Sequence, residues 1–462
     1  MIDYKDELEK LASDIQWRPA YMKERYVDWV RNLRWDWCIS RQRFFGVPFP
    51  LWYCASCGAV KLADESSLPV DPLSSSPPTP CSCGSMEFRP ESDVMDTWAT
   101  SSVSPQINAR WGEAADLMER IFPFSMRPQA HDIIRTWAFY TIVKSYFHHG
   151  CAPWKEIMIS GHSRDPAGNK LSKSKGNAGE TPSDLVAKYG ADPVRYWAAS
   201  AKLGTDSVFS EKVVADGRRL VLKLWNAAQL AGPFVERLAR TQDTENMHDS
   251  QNRPIEEWIR ASYRQTVRVA TEALDEREYD GALSAVESFF RRDFCDDYLE
   301  LCKPLAGDDN VETLVAARTI QELLYGILRL FAPFLPHIAE ELYQRLLRDR
   351  EGHPSIHVAP WPSREAIEGA ERAIATGRGI TSLIDDIRRA KTEAKRSLAA
   401  PIARLHYSID EERLPPGFAI ALEIALPRIS SMLRIDACSR RPFDPGRPTS
   451  VGSPIAIHVE WA

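Results

Sequence analysis

The segment of the chain best equipped for chemistry is a lysine-rich loop at residues 170–175. Lysine and serine dominate it, with Lys170, Ser172, Lys173 and Ser174 as the candidate phosphate-binding groups. Ammonium groups and hydroxyl donors suit the phosphates of a nucleotide, and ammonium groups can follow negative charge onto a pyrophosphate leaving group. The loop follows a short apolar stretch, and ligands of open α/β sheets lie beyond the carboxyl ends of strands. On composition alone, a solvated surface loop explains these residues at least as well.

Four cysteines form a second candidate site. They fall into two close pairs, Cys54 with Cys57 and Cys81 with Cys83, and each pair is followed by glycine. Four thiolates satisfy a tetrahedral Zn²⁺ ion, and such a closed shell leaves no position for substrate, so the expected role is structural. The second pair is one residue tighter than the usual spacing. We expect zinc here rather than free thiols.

A third candidate lies at His131 and Asp132, between a predicted strand over 124–129 and a predicted helix over 132–147. A carboxylate at this junction could accept hydrogen bonds from the hydroxyls of a ribose. An aspartate at the start of a helix is also a common cap. The two interpretations are compatible.

The composition limits the class of protein that carries these residues. The chain has 462 residues, of which 44% are hydrophobic and 26% charged, as in ordinary globular proteins of about three domains. The net charge of −6 does not indicate a nucleic-acid binder, so any RNA contact must come from local patches. The apolar runs are shorter than the roughly 20 residues of a membrane span, and the N-terminus has no secretory signal. We expect a cytoplasmic location and no membrane partner.

The hydrophobic patterns divide the chain into five segments. Residues 93–210 alternate strand and helix patterns, including a strand over 156–160, which predicts an α/β domain with a parallel sheet. Residues 211–370 predict a helical bundle, with helices over 216–230, 282–302, 311–330 and 338–347. Residues 371–462 predict a small α/β domain, with a helix over 380–397 and strands over 402–409 and 455–461. Residues 1–50 precede a cysteine-containing module at 51–92.

Several of these segments resemble the valine subgroup of the class I aminoacyl-tRNA synthetases. The lysine loop resembles the KMSKS signature of that family, with Leu171 in place of methionine. The short sequence motifs at 93–98 and 101–102 resemble those of the valyl branch, and the sequence from Arg127 to Trp137 resembles that of its archaeal type. The stretch from Trp35 to Gly46 is similar to the place where that family's chain returns from its editing insertion. The resemblance covers essentially all of the sequence.

The resemblance implies ATP-dependent activation of valine and its transfer to tRNA-Val, with Mg²⁺ sharing the phosphate charge. Lys170 and Lys173, with Ser172 and Ser174, would stabilise the transition state of activation. His131, Asp132 and Lys173 would bind ATP, although Ala130 replaces a glycine that relatives often carry. Trp98 and Ile133 would wall the valine pocket. For an isolated tryptophan or isoleucine, a place in the core is the better interpretation.

The resemblance also implies an architecture. Residues 93–210 would be the second half of a Rossmann-type catalytic domain, 51–92 a zinc module, and 1–50 the end of the editing insertion. Residues 211–370 would be the anticodon-binding bundle, whose characteristic sequence motifs begin at Lys223, Asp297 and Pro333. Within the last segment, Arg388, Arg389, Lys391, Lys395 and Arg396 could contact the tRNA backbone. A solvated helix face balanced by acidic residues explains them equally well.

None of the ten histidines has the His-x-Gly-His spacing of the family's HIGH signature. We therefore expect a truncated or split C-terminal portion of a valine–tRNA ligase, with a separate N-terminal half as a partner. The alternative is a non-catalytic synthetase paralogue that binds tRNA. A zinc-containing nucleotide-binding enzyme unrelated to tRNA would fit the loop and the cysteines but not the bundle.

Overall fold

The computed structural model describes residues 1–165, 167–171, 180–240, 253–307, 310–365, 367–442 and 454–462. They form two compact units. The first comprises Met1–Arg164 and Lys202–Ser207, and the second comprises Asp165–Ala201 and Val208–Ala462. No helix within these ranges has the length and apolarity needed to cross a membrane.

The first unit contains short helices and strands. Its helices are α1 (Lys5–Asp14), α2 (Met22–Arg31), α3 (Thr97–Ser101), α4 (Ser104–Asn108), α5 (Ala115–Ile121) and α6 (Phe139–His149). Its strands are β1 (Gln16–Arg18), β2 (Ser40–Arg41), β3 (Leu51–Cys54), β4 (Val60–Leu62), β5 (Phe88–Pro90), β6 (Val94–Met95), β7 (Phe124–Ala130), β8 (Trp154–Ser160) and β9 (Ser163–Arg164). Single 3₁₀ turns lie at Ile2–Tyr4, Glu65–Ser67 and His131–Ile133, and a π-helical segment, Ile134–Ala138, leads into α6.

A parallel sheet organises this unit, in the strand order β1-β8-β7. The central strand β8 buries Ile157 and Ile159, and the apolar faces of α1, α2 and α6 pack in the same core. The short apolar run at residues 157–159 of β8 is typical of a strand in a parallel sheet that is covered on its faces. The predicted strands over 124–129 and 156–160 and the predicted helix over 132–147 are therefore confirmed, the helix with 3₁₀ and π turns at its start.

The cysteine-containing module has its own small antiparallel sheet, in the order β4-β3-β5. Trp52 on β3 is buried, and its indole N–H donates to the carbonyl oxygens of Pro72 and Ser75. These bonds hold the serine- and proline-rich segment that contains Pro72 and Ser75 against the sheet.

The second unit is mainly helical. Its helices are α7 (Pro182–Tyr189), α8 (Ala191–Ala199), α9 (Glu211–Arg240), α10 (Pro254–Asp275), α11 (Tyr279–Ser288), α12 (Glu300–Cys302), α13 (Val311–Phe331), α14 (Pro336–Leu346), α15 (Arg348–Glu351), α16 (Ala370–Glu393) and α17 (Phe418–Leu433). A π-helical segment, Phe289–Leu299, joins α11 to α12, and 3₁₀ turns lie at Lys303–Gly307, Ile356–Val358 and Glu411–Arg413. Its strands are β11 (Ile402–Ile409), β12 (Ile435–Arg440) and β13 (Ile455–Trp461), and the short strand β10 (Ser207–Val208) precedes α9.

One core runs through the helical bundle and into the C-terminal segment. Helix α13 lies in this core, and all residues from Leu323 to Leu328 are buried, which explains the apolar sequence of its second half. In the C-terminal segment, β11 is the middle strand of the order β12-β11-β13, parallel to β12 and antiparallel to β13. The predicted helices of the bundle and the strands over 402–409 and 455–461 are confirmed. The sequence did not predict α17 or β12.

A buried ion pair ties the C-terminal segment to the bundle. Nη1 of Arg428 on α17 lies 2.6 Å from Oε1 of Glu256 on α10, and both side chains are buried. The same guanidinium donates to the carbonyl oxygen of Leu301 and to Sγ of Cys302. Its Nε also lies 3.8 Å from Oε1 of Glu312 on α13, whose side chain is partly exposed.

Candidate active site and cysteine cluster

Two histidines follow the carboxyl ends of neighbouring parallel strands. His131 comes directly after β7, and His162 comes two residues after β8, where Ala130 is paired with Ser160. The centroids of the two imidazole rings are 4.6 Å apart. This edge of a parallel α/β sheet is where such folds bind their ligands.

The carboxylate of Asp206 holds both histidines in place. Its Oδ1 lies 2.8 Å from Nε2 of His131 and accepts the backbone N–H of His162, also at 2.8 Å. Its Oδ2 accepts from Nε of Arg164 at 2.7 Å and from Nη2 of the same residue. The His162 N–H, His131 and Arg164 together hold the pKa of Asp206 well below its usual range. Since a carboxylate only accepts, the bond to Asp206 requires a proton on Nε2 of His131.

A close approach of the chain explains the glycine at this point. A Cβ atom on Gly161 would lie 1.9 Å from the carbonyl oxygen of Thr205, so a side chain would push away the turn that carries Asp206. Asp132 is exposed beside this network, and its Oδ2 lies 3.4 Å from Nε2 of His162. The structure thus brings His131 and Asp132 to one edge of the sheet, with Asp206 behind them.

Trp98 lies at the start of α3, which Asp96 caps. Oδ1 of Asp96 accepts the backbone N–H of Trp98 at 3.2 Å. Its Oδ2 accepts from the indole N–H of Trp37 at 3.2 Å and from Nη2 of Arg41 at 2.6 Å. The buried Asp96 therefore fixes the orientation of the helix that carries Trp98, and it joins this helix to the aromatic stretch before β2.

Ile133 is half-buried in the turn before the π-helical segment. Trp137, one turn further on, donates its indole N–H to the carbonyl oxygen of Ser101 at 3.2 Å and so connects this segment to α3. The guanidinium of Arg127 on β7 lies over the Trp137 ring, and burial lowers the pKa of Arg127 to about 10. Trp98 and Ile133 thus lie on elements that are bonded to each other, and neither is fully buried.

Only the start of the lysine loop lies within the described residues. The chain turns at Asp165, whose carbonyl oxygen accepts from the N–H of Gly168 and whose carboxylate accepts from the N–H of Asn169, both at 2.8 Å. Gly168 has a φ of +85°, which a glycine adopts without strain. Lys170 follows this turn and belongs to the second unit. Ser172, Lys173 and Ser174 lie outside the described residues, so their proposed role stays a prediction.

The four predicted cysteine ligands converge. Their sulfur atoms all lie within 4.8 Å of one another, with Cys54 and Cys83 at 3.6 Å and Cys57 and Cys81 also at 3.6 Å. Four sulfurs around a zinc ion at about 2.3 Å would be roughly 3.8 Å apart, so the set fits that geometry. A glycine with positive φ closes each turn, at Gly58 and Gly84.

Most of the basic residues on α16 are engaged within the protein. Lys391 is fully buried, and its ammonium group donates to the carbonyl oxygens of Leu398 and Leu433. Of the two interpretations of these basic residues, neither contact with tRNA nor a solvated helix face holds for Lys391, because its ammonium group is buried and bonded to two backbone carbonyl oxygens. Arg388 pairs with Asp297 and Asp385, and Arg389 pairs with Asp386.

The family to which the chain belongs emerges from two matches. Residues 2–210 match the family described as "tRNA synthetases class I (I, L, M and V)", and residues 256–405 match the "Anticodon-binding domain of tRNA ligase". Together these regions take in more than half of the sequence. The chain belongs to the class I aminoacyl-tRNA synthetases.

Its relatives within this family include valine–tRNA ligases. It is 40% identical over 426 residues to the valine–tRNA ligase of Rickettsia felis, covering 88% of this chain and 48% of that protein. It is 41% identical over 405 residues to that of Picrophilus torridus, covering 87% and 50%. The chain thus spans about half the length of the curated relatives it matches.

Solved structures support the fold. A LeuRS–tRNA–LeuAMS ternary complex from Agrobacterium radiobacter K84 has a TM-score of 0.54 at 19% identity, covering 88% of this chain and 51% of that one. Methionyl-tRNA synthetase of Mycobacterium tuberculosis, in complex with methionyl-adenylate, also has a TM-score of 0.54 at 19% identity, covering 74% and 60%.

Sequence reasoning missed Asp206, Asp96 and Arg164. Asp206 lies 75 residues after His131, and Asp96 lies 55 residues after its partner Arg41. No local motif marks Asp206 as an acceptor, and the motif that contains Asp96 does not indicate its distant partners Trp37 and Arg41. The available signal was the glycine at 161, which indicates that another part of the chain approaches its backbone closely.

Proposed function

We propose that this chain is the C-terminal portion of a valine–tRNA ligase, which activates valine with ATP and transfers it to tRNA-Val. The observation that carries the proposal is the 40% identity to valine–tRNA ligases over 88% of the chain. The chain spans about half the length of those relatives and these 462 residues contain no HIGH signature, so we expect activity only together with the first half of the catalytic fold. We propose that the five segments predicted from the sequence, residues 1–50, 51–92, 93–210, 211–370 and 371–462, are the domains of this chain.

In this proposal His131 and Asp132 hold the adenosine side of ATP, while Lys170 and Lys173, assisted by Ser172 and Ser174, neutralise the pyrophosphate side. Mg²⁺ shares the phosphate charge. Because no covalent enzyme intermediate forms, positioning and charge neutralisation supply the rate. Asp206 is a positioning residue in this scheme, since it acts through His131.

Trp98 and Ile133 are the proposed walls of the valine pocket. A tryptophan face and a β-branched side chain make a small rigid pocket that excludes larger side chains by size. Such a pocket discriminates poorly against an isostere such as threonine.

The direct test is valine-dependent exchange of pyrophosphate into ATP. The chain is assayed alone and together with the N-terminal half of a related valine–tRNA ligase. We expect exchange in the mixture only, and Lys173→Ala should reduce it about 100-fold, as loss of a transition-state donor does. The control is Lys155→Ala, which removes an exposed lysine on β8. Exchange by the chain alone would show that no second half is needed, and tRNA-Val binding without exchange in the mixture would favour the paralogue.

We further propose that Cys54, Cys57, Cys81 and Cys83 hold a structural Zn²⁺ ion. The support is the convergence of four sulfurs, which leaves no ligand position for substrate. Freshly purified chain should contain one zinc per molecule, and Cys54→Ser or Cys83→Ser should lose it. Cys438→Ser, outside the cluster, is the control. Less than one metal per native chain would contradict the proposal.

A further inference from the structure

The guanidinium group of Arg127 on β7 lies beside two tryptophan rings. It is placed over the ring of Trp137, and its Cζ is 5.7 Å from the centroid of the Trp154 ring. Its Nε and Nη2 are buried and have no hydrogen-bond partner among the described residues. Burial lowers the pKa of Arg127, and no carboxylate in the described part of the chain opposes that effect. Neither ATP, valine nor zinc accounts for this residue in the scheme above.

Stability does not explain an arginine at this position. A buried cation is destabilising unless hydrogen bonds or an opposite charge compensate it, and an apolar side chain of similar size would carry no such cost. The guanidinium does gain a cation–π contact, which is stronger in a desolvated site than at an exposed one. Arrangements that cost stability are found mainly at functional sites. The contacts of Arg127 therefore point to a role that it exerts through Trp137.

Trp137 connects the two elements that carry the proposed walls of the valine pocket. Its indole N–H donates to the carbonyl oxygen of Ser101, the last residue of α3, at 3.2 Å. Trp98 lies on α3, and Ile133 lies in the turn that leads into the π-helical segment of Trp137. This hydrogen bond thus joins the element of one wall to the element of the other. A change in the tilt of the Trp137 ring would move the two walls relative to each other.

Helix α3 depends on its surroundings to hold Trp98 in place. It has only five residues, and a helix this short is not stable by itself. Asp96 ties its N-terminal end, because this carboxylate caps the helix and also accepts from two distant side chains. The bond from Trp137 to Ser101 ties its C-terminal end. If that bond is lost, the C-terminal end of α3 can shift and take the Trp98 ring with it.

We propose that Arg127 is a positioning residue, which holds Trp137 and thereby sets the width of the valine pocket. The inference rests on the proposed function for the substrate and for the two walls. A guanidinium is planar and stacks on the face of an indole, so it restricts the tilt of the Trp137 ring. Width matters because isoleucine exceeds valine by one methylene, which a rigid pocket rejects by size. Arg127 acts through Trp137 and does not contact the substrate in this scheme.

The test compares four single variants of the full chain. Arg127→Met keeps the apolar stem and removes the guanidinium, Arg127→Lys keeps the charge and removes the plane, and Trp137→Phe keeps a ring and removes the N–H. The matched control is Arg135→Met. Arg135 is exposed in the same π-helical segment as Trp137, and its guanidinium lies over the ring of Trp29, 5.7 Å from the centroid. Thermal melting verifies that each variant is folded.

Fluorine NMR measures the positioning of Trp98 directly. The chain is labelled with 5-fluorotryptophan, and the signal of Trp98 is identified as the one missing from Trp98→Phe. This measurement uses the chain alone and needs no activity. Arg127→Met and Trp137→Phe should shift or broaden the Trp98 signal, and Arg127→Lys should do so less. Arg135→Met should leave it unchanged.

Pyrophosphate exchange in the mixture with the N-terminal half measures the width of the pocket. In Arg127→Met, the preference for valine over isoleucine, taken as the ratio of kcat/KM values, should fall about tenfold, the lower end of what one methylene contributes. The preference over threonine should stay the same, because threonine has nearly the size of valine. The KM for valine should rise several-fold and that for ATP should not, since Asp206 holds His131 independently of Trp137.

An unchanged Trp98 signal in a folded Arg127→Met variant would overturn the positioning role and leave the proposed function intact. A shifted signal with an unchanged preference for valine over isoleucine would overturn the role in pocket width. Absence of exchange in the native mixture would instead count against the proposed function, and the role in pocket width would fall with it. In that case, the fluorine signals would still decide whether Arg127 positions Trp98.

Discussion

Replacing Asp206 by asparagine should loosen the edge of the sheet that carries His131. The carboxylate accepts from the His131 ring, from the backbone N–H of His162 and from the guanidinium of Arg164. Asparagine keeps one carbonyl oxygen, but its amide group must face either Arg164 or His131, and both of these donate. The substitution thus replaces charge-assisted hydrogen bonds to the carboxylate by weaker bonds to a neutral amide. At least one N–H of that amide then faces another donor and forms no hydrogen bond.

The size of the effect follows from these contacts. A hydrogen bond to a charged group contributes roughly 1.5–3 kcal/mol, and the Arg164 contribution must be reduced because its side chain is 44% exposed. A net cost of about 2–3 kcal/mol results. Since 1.4 kcal/mol is a factor of ten in an equilibrium, opening of this edge should become roughly 30- to 150-fold more frequent.

Hydrogen–deuterium exchange measures that opening directly. The amide of His162 should exchange about 30- to 150-fold faster in Asp206→Asn at pH 7, whereas amides of β3 and β4 in the cysteine module should not change. The matched control is Asp28→Asn, which alters an exposed carboxylate on α2 in the same unit. If His131 contacts ATP as proposed, the same variant should raise the KM for ATP in the exchange assay.

The pH dependence gives a second check. The folded pKa of Asp206 lies below the unfolded value of about 3.9, so its stabilisation is fully present above that pH and is lost as the pH falls through the folded pKa. The difference between native chain and variant should be complete at pH 7 and shrink only below about pH 4. Less than a threefold change in exchange of the His162 amide at pH 7 would refute the assignment of Asp206 as the group that holds this edge.

Three further substitutions test the second unit. Arg428→Met should cost about 3–5 kcal/mol in urea unfolding because it leaves Glu256 buried without its partner, and adding Glu256→Met should restore most of the loss; no recovery would contradict the account. Lys391→Met should lower stability by about 2 kcal/mol and change tRNA affinity less than twofold, whereas a shallower salt dependence of binding would mean that this lysine reaches RNA after all. Asp297 has a folded pKa raised to about 6, above the unfolded value, so the chain gains stability from this group as the pH falls towards 4. Asp297→Asn should therefore raise the melting temperature by a few degrees at pH 8 and by less at pH 5, even though the pair with Arg388 is lost. An equal change at the two pH values, or a larger increase at pH 5, would exclude a raised pKa of Asp297 as the cause.

Local pattern was sufficient for many of the regular elements. It predicted β7, β8, β11 and β13 and the long helices of the bundle. Strands β8 and β11 and these helices bury a continuous face or stripe, whereas β7 and β13 are buried only in part. Helix α17 escaped prediction because it contains Pro427 and is apolar over most of its surface, so it lacks the one-sided pattern of a surface helix. Strand β12 is short and has only its first residue fully buried, which leaves little alternation to detect.

The sequence by itself determined which residue types are available. It supplied the cysteine pairs with their glycines, the His131–Asp132 junction at the end of a strand, and the family resemblance that comparison with known proteins then confirmed. These are local features, because a strand end, a turn or a spacing of two or three residues is set by neighbours along the chain.

Only the tertiary structure decided which groups act on one another. It joined Asp206 to His131 across 75 residues, and it buried Lys391 against the carbonyl oxygens of Leu398 and Leu433 instead of leaving it for RNA. A side chain's partner and its exposure depend on which distant segments fold against it. Charge and polarity in the sequence state what a residue can do, and burial and hydrogen bonding in the folded chain decide what it does.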